Sequence, residues 1–166
     1  MGRTGVATVD QTLLELLQAE VAQRQVRAIR YQLGQARFPV SKDLDTFDFA
    51  TSPVDEAHIR SLYEGSFLAE RKNIVFVGGT GTGKTHLAIA IAGRAVRNGV
   101  RARFFNLVDL ANLLEQEKLA GKGGGLASRL ARTDIVVLDE LGYLPFSRNS
   151  AQLLLGSSQK TDRKVR

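Results

Sequence analysis

The order of apolar and polar positions along the chain predicts helices that alternate with strands. In the N-terminal part, apolar residues recur three and four positions apart, as on one face of a helix: Ala22, Val26, Ile29 and Leu33. The sequence from Thr12 to Glu15 matches a capping box, so we expect the first helix to begin near Thr12. Pro39 ends this helix, because the residue before a proline disfavours the helical conformation.

The same patterns predict further elements along the rest of the chain. Helical patterns cover residues 56–64, 84–97, 108–119 and 126–132, and β-branched or alternating apolar runs that predict strands cover residues 73–77, 100–105 and 135–138. Strands joined by helices form right-handed crossovers and a parallel sheet. The stretch 42–49 resembles a linker that aromatic residues fix to the core.

A glycine-rich loop lies between the strand 73–77 and the helix that follows it. It reads Gly78, Gly79, Thr80, Gly81, Thr82, Gly83, Lys84 and Thr85, and so fits the phosphate-loop pattern Gly-x-x-x-x-Gly-Lys-[Ser/Thr]. Glycines let backbone N–H groups turn toward phosphate oxygens, and the helix start adds the positive end of its dipole. A glycine-rich turn that binds nothing is the alternative, but the strand–loop–helix context favours the phosphate loop.

Two carboxylates follow the strand 135–138 and complete a candidate catalytic set. Lys84 is expected to contact the β- and γ-phosphates and Thr85 to ligate Mg²⁺. Asp139 is placed to hold the Mg²⁺ shell, and Glu140 to accept a proton from the attacking water. A strand followed by an acidic loop is ordinary, and such an acid can simply cap a helix. Together with the loop, however, the pair predicts a phosphate-loop NTPase with these residues at one sheet edge.

Composition restricts the remaining classes. The 166 residues suffice for one domain with a core, and 43% hydrophobic with 24% charged residues is ordinary for a globular protein. No apolar run has membrane-spanning length, no secretory signal is visible, and the absence of cysteine excludes disulfides; a cytoplasmic location is expected. The two histidines, His58 and His86, are too few for a metal cluster, and His86 is expected to pack or cap.

The net charge of +6 suggests nucleic acid as a partner only weakly. Residues 1–72 are nearly neutral, and part of the basic excess lies in the last eleven residues. In the first helix, Arg24, Arg27 and Arg30 lie beside the apolar face. They form either a DNA- or partner-contacting face or a solvated face, and the sequence favours the solvated one.

Three segments carry a resemblance to a known family. These are residues 37–49 (with Arg37-Phe38-Pro39 and Phe47-Asp48-Phe49), the loop and helix residues 81–88, and residues 138–146, which read Leu-Asp-Glu-Leu-Gly-Tyr-Leu-Pro-Phe. Together they resemble the IstB-like helper ATPases of insertion-sequence transposons, relatives of the DnaC helicase loaders in the AAA+ superfamily. The resemblance covers about residues 12–155, and the stretch 141–146 discriminates best.

The resemblance implies ATP binding by Gly79 to Thr85, Mg²⁺ at Thr85 and Asp139, and water activation by Glu140. It implies self-assembly on duplex DNA without sequence preference, and assistance to a cognate transposase. Lys122 and Arg129 correspond to a family insertion that lies near DNA. A DnaC-like helicase loader is the alternative, but residues 37–49 and 141–146 favour the transposition helper.

The sequence departs from the family after residue 155, where it becomes polar and basic. We expect a helical segment and linker over residues 1–65, an incomplete AAA+ parallel sheet with flanking helices over 66–155, and a divergent tail over 156–166. The family's fourth and fifth strands, arginine finger and C-terminal lid have no counterpart. Poor ATP hydrolysis is therefore expected, with Asp139 and Glu140 displaced from Thr85; a non-functional fragment of a transposon gene is the alternative.

Overall fold

The computed structural model describes residues 4–121 and 124–140, in which helices surround a parallel strand pair. In chain order the elements are α1 (Thr4–Ala36), a 3₁₀ turn (Leu44–Thr46), α2 (Glu56–Tyr63), α3 (Ser66–Ala69), α4 (Lys84–Arg97), β1 (Ala102–Asn106), α5 (Leu107–Leu119), α6 (Gly125–Leu130) and β2 (Ile135–Asp139). These elements confirm the α/β class. Within the same ranges, no helix is both long enough and apolar enough to cross a membrane.

The strands β1 and β2 lie side by side, joined through α5 and α6. Their register places Ala102 opposite Ile135 and Asn106 opposite Asp139, so both strands end at the same edge. At the opposite end, the backbone N–H and Nε of Arg101 donate to one oxygen of Asp134 at 2.9 and 3.1 Å. This pairing lowers the pKa of the Asp134 carboxyl and fixes where the two strands begin.

Helix α4 is buried on both sides and connects the two larger clusters of the core. Leu87 and Ile91 pack with residues of the 3₁₀ turn and α2. Ala92 and Val96 pack with the end of α1 and with both strands. Because nearly every side of a helix with this pattern is apolar, its natural position is the interior of the fold. A third cluster joins α5 to α6, and Phe105 of β1 and Leu138 of β2 pack against it.

Helix α1 begins at Thr4, so the predicted start near Thr12 is wrong. No proline interrupts residues 4–11, and a Thr-x-x-Glu sequence can lie within a helix as well as at its start. Over residues 10–36, where burial is described, packing is confined to the C-terminal end of α1: Ala36 is buried, whereas Val26 is 55% exposed. The predicted apolar face is therefore covered only over its last turns.

Residues 73–77 form no strand, so the strand predicted there is wrong. Ile74 and Phe76 pack on the core, whereas Val75 and Val77 are 72% and 90% exposed. The alternation that predicted the strand is thus present. A strand also requires a neighbouring ladder of backbone hydrogen bonds, and within the described residues β1 and β2 pair only with each other.

The linker before α2 packs against the start of α4, as the aromatic pattern of residues 42–49 predicts. The rings of Phe47 and Phe49 meet edge to face, with centroids 4.9 Å apart. Phe47 also lies against Gly83, where a Cβ would stand 2.5 Å from its Cε2 atom. A side chain at this position would therefore collide with Phe47. Gly83 also has a φ of +81°, a left-handed conformation that favours glycine, so both observations require a glycine here.

Asp43 joins the linker to α2 and α4. Its carboxylate accepts a hydrogen bond from Tyr63 Oη at 2.5 Å and pairs with Arg97 at 2.8 Å. The Tyr63 hydroxyl, the Leu44 backbone N–H and the Arg97 guanidinium hold the pKa of the Asp43 carboxyl below its ordinary value, against the opposing effect of burial. These contacts make the linker's position sensitive to acid.

We expect Gly83→Ala to destabilise the protein more than Gly81→Ala. Both glycines have left-handed φ, +81° and +78°, and share that strain, but a Cβ at Gly81 meets nothing within 4 Å. Overpacking against Phe47 adds about 1–3 kcal/mol to the free energy lost by Gly83→Ala. Urea unfolding measures the difference, and adding Phe47→Ala should recover part of it. Equal destabilisation by the two glycine variants would contradict the packing.

We expect Tyr63→Phe to lower the free energy of unfolding by about 0.5–1.5 kcal/mol at pH 7, because it removes one hydrogen bond. Because the folded pKa of Asp43 is depressed, its contribution is present above the unfolded value, near 3.8, and is lost as pH falls through the folded pKa. The deficit should shrink as the pH falls below about 3.8 and through the depressed folded pKa of Asp43. Tyr31→Phe, at a residue 64% exposed, is the matched control. A deficit unchanged by acid would contradict the assignment.

Candidate nucleotide-binding site

The glycine-rich loop leads directly into the first turn of α4. Gly83 occupies the N-cap position with no side-chain cap, and α4 begins at Lys84. The left-handed backbone at Gly81 and Gly83 turns the chain sharply before the helix. Free N–H groups at a helix start, with the positive end of the helix dipole, favour an anionic group.

The side chain of Lys84 folds over the loop. Its Nζ donates to the Gly79 carbonyl oxygen at 2.5 Å and lies 3.5 Å from Thr82 Oγ1. Thr82 Oγ1 donates to the same carbonyl at 2.9 Å. In the described part of the chain no carboxylate forms an ion pair with Lys84, so its charge is left for an external anion. Thr80 and Thr82 lie exposed along the same loop.

Thr85 and Asp139 come together although 54 positions separate them. Thr85 Oγ1 lies 2.9 and 3.1 Å from the two carboxylate oxygens of Asp139 and donates to them. The expected displacement of Asp139 from Thr85 is therefore wrong. Val137 of β2 packs directly against the cluster that holds Ala92 of α4, and this contact brings the end of β2 to the helix start.

These two side chains fit a Mg²⁺ ion by the chemistry of their donors. A hydroxyl and a carboxylate are hard oxygen ligands, and Mg²⁺ commonly takes one or two from protein while water and phosphate supply the rest. The described residues contain no group of three or more histidine, cysteine or acidic residues that could enclose a metal. The arrangement thus suits an ion shared with a phosphate ligand better than a closed metal site.

Glu140 is held toward β1 rather than toward the loop. Asn106 Nδ2 donates to Glu140 Oε2 at 2.5 Å, and the Glu140 N–H donates to Asp139 Oδ1 at 3.0 Å. Its φ of +64° is left-handed, a conformation that costs a non-glycine residue roughly 1–3 kcal/mol and often occurs at functional sites. Among the residues described, the Glu140 carboxylate forms no hydrogen bond or ion pair with Lys84 or Thr85.

Asn106 is a site residue that sequence reasoning missed. It ends β1 opposite Asp139, and its Oδ1 accepts from the Val108 N–H at 2.9 Å as the N-cap of α5. The available signal was a polar residue directly after a strand, at the edge where the carboxyl ends of parallel strands meet. Asn106 therefore both starts a helix and orients the Glu140 carboxylate.

His86 packs beside the loop, as predicted. Its Nε2 donates to the Asp43 carbonyl oxygen at 2.8 Å, and its ring meets Phe47 edge to face with centroids 5.3 Å apart. Thr46 Oγ1 lies 3.3 Å from the same nitrogen. The histidine thus fastens the first turn of α4 to the linker.

The candidate DNA-contacting residues lie on separate elements. Arg24 pairs with Glu20 at 2.7 Å on the exposed part of α1, where Arg27 and Arg30 are also exposed. Arg129 lies on α6, with Glu117 4.0 Å away. Lys122 and residues 141–146 fall outside the described residues. The domain boundaries expected at residues 65 and 155 stay a prediction.

Comparison with known proteins places this chain in a family. Residues 4–164 match the family model described as IstB-like ATP binding protein. The chain is 38% identical over 143 residues to "Insertion sequence IS5376 putative ATP-binding protein" of Geobacillus stearothermophilus, covering 86% of this chain and 57% of that protein. It is 37% identical over 138 residues to "Insertion sequence IS21 putative ATP-binding protein" of Pseudomonas aeruginosa, covering 82% and 52%.

The chain thus spans little more than half the length of these relatives. The match nevertheless includes the whole phosphate loop, the helix that follows it and both strands of the described sheet. The protein belongs to the IstB-like ATP-binding protein family of insertion sequences.

Proposed function

We propose that this chain binds ATP with Mg²⁺ through Gly79 to Thr85 and Asp139, in the service of DNA transposition. The observation that carries the proposal is the contact between Thr85 and Asp139 beside the charge of Lys84. A cation, a hydroxyl–carboxylate pair and a glycine-rich turn at a helix start together match what a triphosphate with its metal requires.

The proposed roles follow from where each group lies. The Lys84 ammonium lies over the loop and would move from the Gly79 carbonyl to phosphate oxygens, which accept stronger charge-assisted hydrogen bonds. Thr85 and Asp139 would supply oxygen ligands to Mg²⁺, which neutralises phosphate charge when bound. The hydrogen bond between these two side chains holds both of them where β2 ends beside the glycine-rich loop.

We further propose that the protein acts in the cytoplasm with a cognate transposase, and assembles with other copies on duplex DNA without sequence preference. The support is that the relatives are proteins of insertion sequences, which favours the transposition helper over a DnaC-like helicase loader. The net charge of +6 is compatible with DNA but does not argue for it strongly.

Slow hydrolysis by the chain alone is the last part of the proposal. A general base must reach the attacking water, either directly or through one other water. The Glu140 carboxylate instead pairs with Asn106 at the end of β1. Residues 73–77 before the loop have no ladder partner in the described sheet, so within residues 4–121 and 124–140 no paired strand supports the loop.

We expect Lys84→Ala to weaken ATP·Mg²⁺ binding by about tenfold or more, because one charge-assisted hydrogen bond to phosphate is worth roughly 1.5–3 kcal/mol. Titration calorimetry with a slowly hydrolysed ATP analogue measures this. Lys118→Ala removes the same charge from an exposed position on α5 and serves as the control. The same affinity for wild type and Lys84→Ala would refute the assignment of the phosphate loop.

We expect low steady-state ATP turnover from the purified chain, reduced to background by Glu140→Gln while ATP affinity is retained. The physical reason is that the variant keeps the side chain's shape but removes its proton-accepting charge. Glu115→Gln, on the exposed side of α5, is the control and should change neither quantity. Rapid turnover abolished by Glu140→Gln would show that hydrolysis is not impaired, and the proposal of slow hydrolysis would be withdrawn.

A further inference from the structure

A cavity of about 290 Å³ is lined by the residue that follows α1, by residues 103 and 105 of β1, and by residues of α5 and α6. Four arginines line it: Arg37, Arg103, Arg129 and Arg132. Phe105 and leucines of α5 and α6 form its apolar wall. We call it the arginine pocket. None of its lining residues belongs to the phosphate loop or to the Asp139–Glu140 pair.

Local structure explains why these arginines converge. Arg103 and Phe105 are two positions apart on β1 and so project from the same face of the strand. Arg37 follows α1 directly with a left-handed φ of +57°, which turns the chain toward the sheet. Arg129 lies in the last turn of α6, and Arg132 follows that helix. Four arginines from the end of α1, from β1 and from the region of α6 therefore line the same pocket.

The charges in the pocket are poorly compensated. Arg129 has one carboxylate at 4.0 Å, that of Glu117, whose oxygens already accept from the Leu126 N–H at 2.8 and 3.0 Å. Elsewhere in the fold, Arg101 has a close carboxylate partner in Asp134. Within residues 4–121 and 124–140, no ion pair involves the other three arginines of the pocket.

Burial adds to the cost of this arrangement. Arg103 is partly buried, and burial together with the charges of Arg37 and Arg129 lowers its pKa. Like charges beside an apolar wall repel more strongly than they do in water, because the local dielectric is lower. An anion that enters the pocket would remove this repulsion.

The chemistry of the pocket favours phosphate over a single carboxylate. Guanidinium groups pair bidentately with either anion. One carboxylate offers a single charge, whereas a phosphate ester carries up to about two charges and three acceptor oxygens, and a nucleic-acid backbone repeats its charge at each step. The cavity volume is at the small end for ligand pockets, which suits one phosphate group with the atoms attached to it.

We propose that the arginine pocket is a second phosphate-binding site, distinct from the phosphate loop. The phosphate comes from a nucleic-acid backbone or from a free phosphate ester, which share the same oxyanion chemistry. The nucleic-acid source would rest on the proposed action on DNA, whereas the free ester would not.

The test removes two pocket charges together, with Arg103→Gln and Arg132→Gln in one chain. The matched control carries Arg60→Gln and Arg71→Gln, which remove two exposed arginines outside the pocket. Both pairs are also made in a Lys84→Ala background, so that inorganic phosphate bound at the phosphate loop does not obscure the result. ATP binding by the pocket variant with Lys84 intact should equal wild type, which separates failure of this proposal from failure of the phosphate-loop assignment.

In the first arm, inorganic phosphate is added against chloride at equal ionic strength and the Tm is followed. A ligand that binds only the folded state raises the Tm. In the Lys84→Ala background, we expect phosphate to raise the Tm of the control pair and to leave the Tm of the pocket pair unchanged. Without phosphate, the pocket variant should be at least as stable as the wild type, since repulsion has been removed.

In the second arm, binding to a short DNA duplex is measured by fluorescence anisotropy at several salt concentrations. If the backbone is the source, the pocket variant should bind about tenfold or more weakly than the control. The slope of log affinity against log salt should also fall in magnitude by about 1–2, roughly one for each phosphate that is no longer neutralised. An effect in the phosphate arm alone identifies a free ester as the source. Pocket and control variants that behave alike in both arms overturn the proposal.

Discussion

The burial of α4 is the constraint on which the rest of the structure depends. Small residues along its middle, Ala90 and Ala92 among them, are at most 1% exposed and let neighbouring elements approach closely. One side of the helix receives the linker and α2, and the other receives both strands. Since Lys84 and Thr85 occupy its first turn, every element that packs on α4 also helps to fix these two side chains.

That first turn is held from two directions by residues distant in the chain. On one side, Phe47 lies on Gly83 and the Asp43 carbonyl accepts from His86. On the other, Asp139 accepts from Thr85. A loop rich in glycine is flexible by itself, so these contacts reduce the conformational freedom that a bound phosphate would otherwise have to restrict.

Charge is distributed unevenly over the same framework. Arg97 forms an ion pair with Asp43 of the linker, and Arg101 forms one with Asp134 just before β2. Both pairs stabilise the fold. Arg103 instead lies near other arginines beside an apolar wall. The net charge of the chain alone does not distinguish these cases, because the distinction depends on which groups the fold brings together.

The sequence by itself determined the phosphate loop, the helix that follows it, and the two acids at the end of β2, because each depends on local backbone chemistry and apolar periodicity. It also predicted a strand over residues 73–77, where two side chains do pack, but strand pairing depends on a partner elsewhere in the chain. Only the tertiary structure decided that Asp139 reaches Thr85 and that Asn106 holds Glu140. Those contacts join residues 54 and 34 positions apart, and distances of that kind are set by how helices pack on the sheet, which no local pattern encodes.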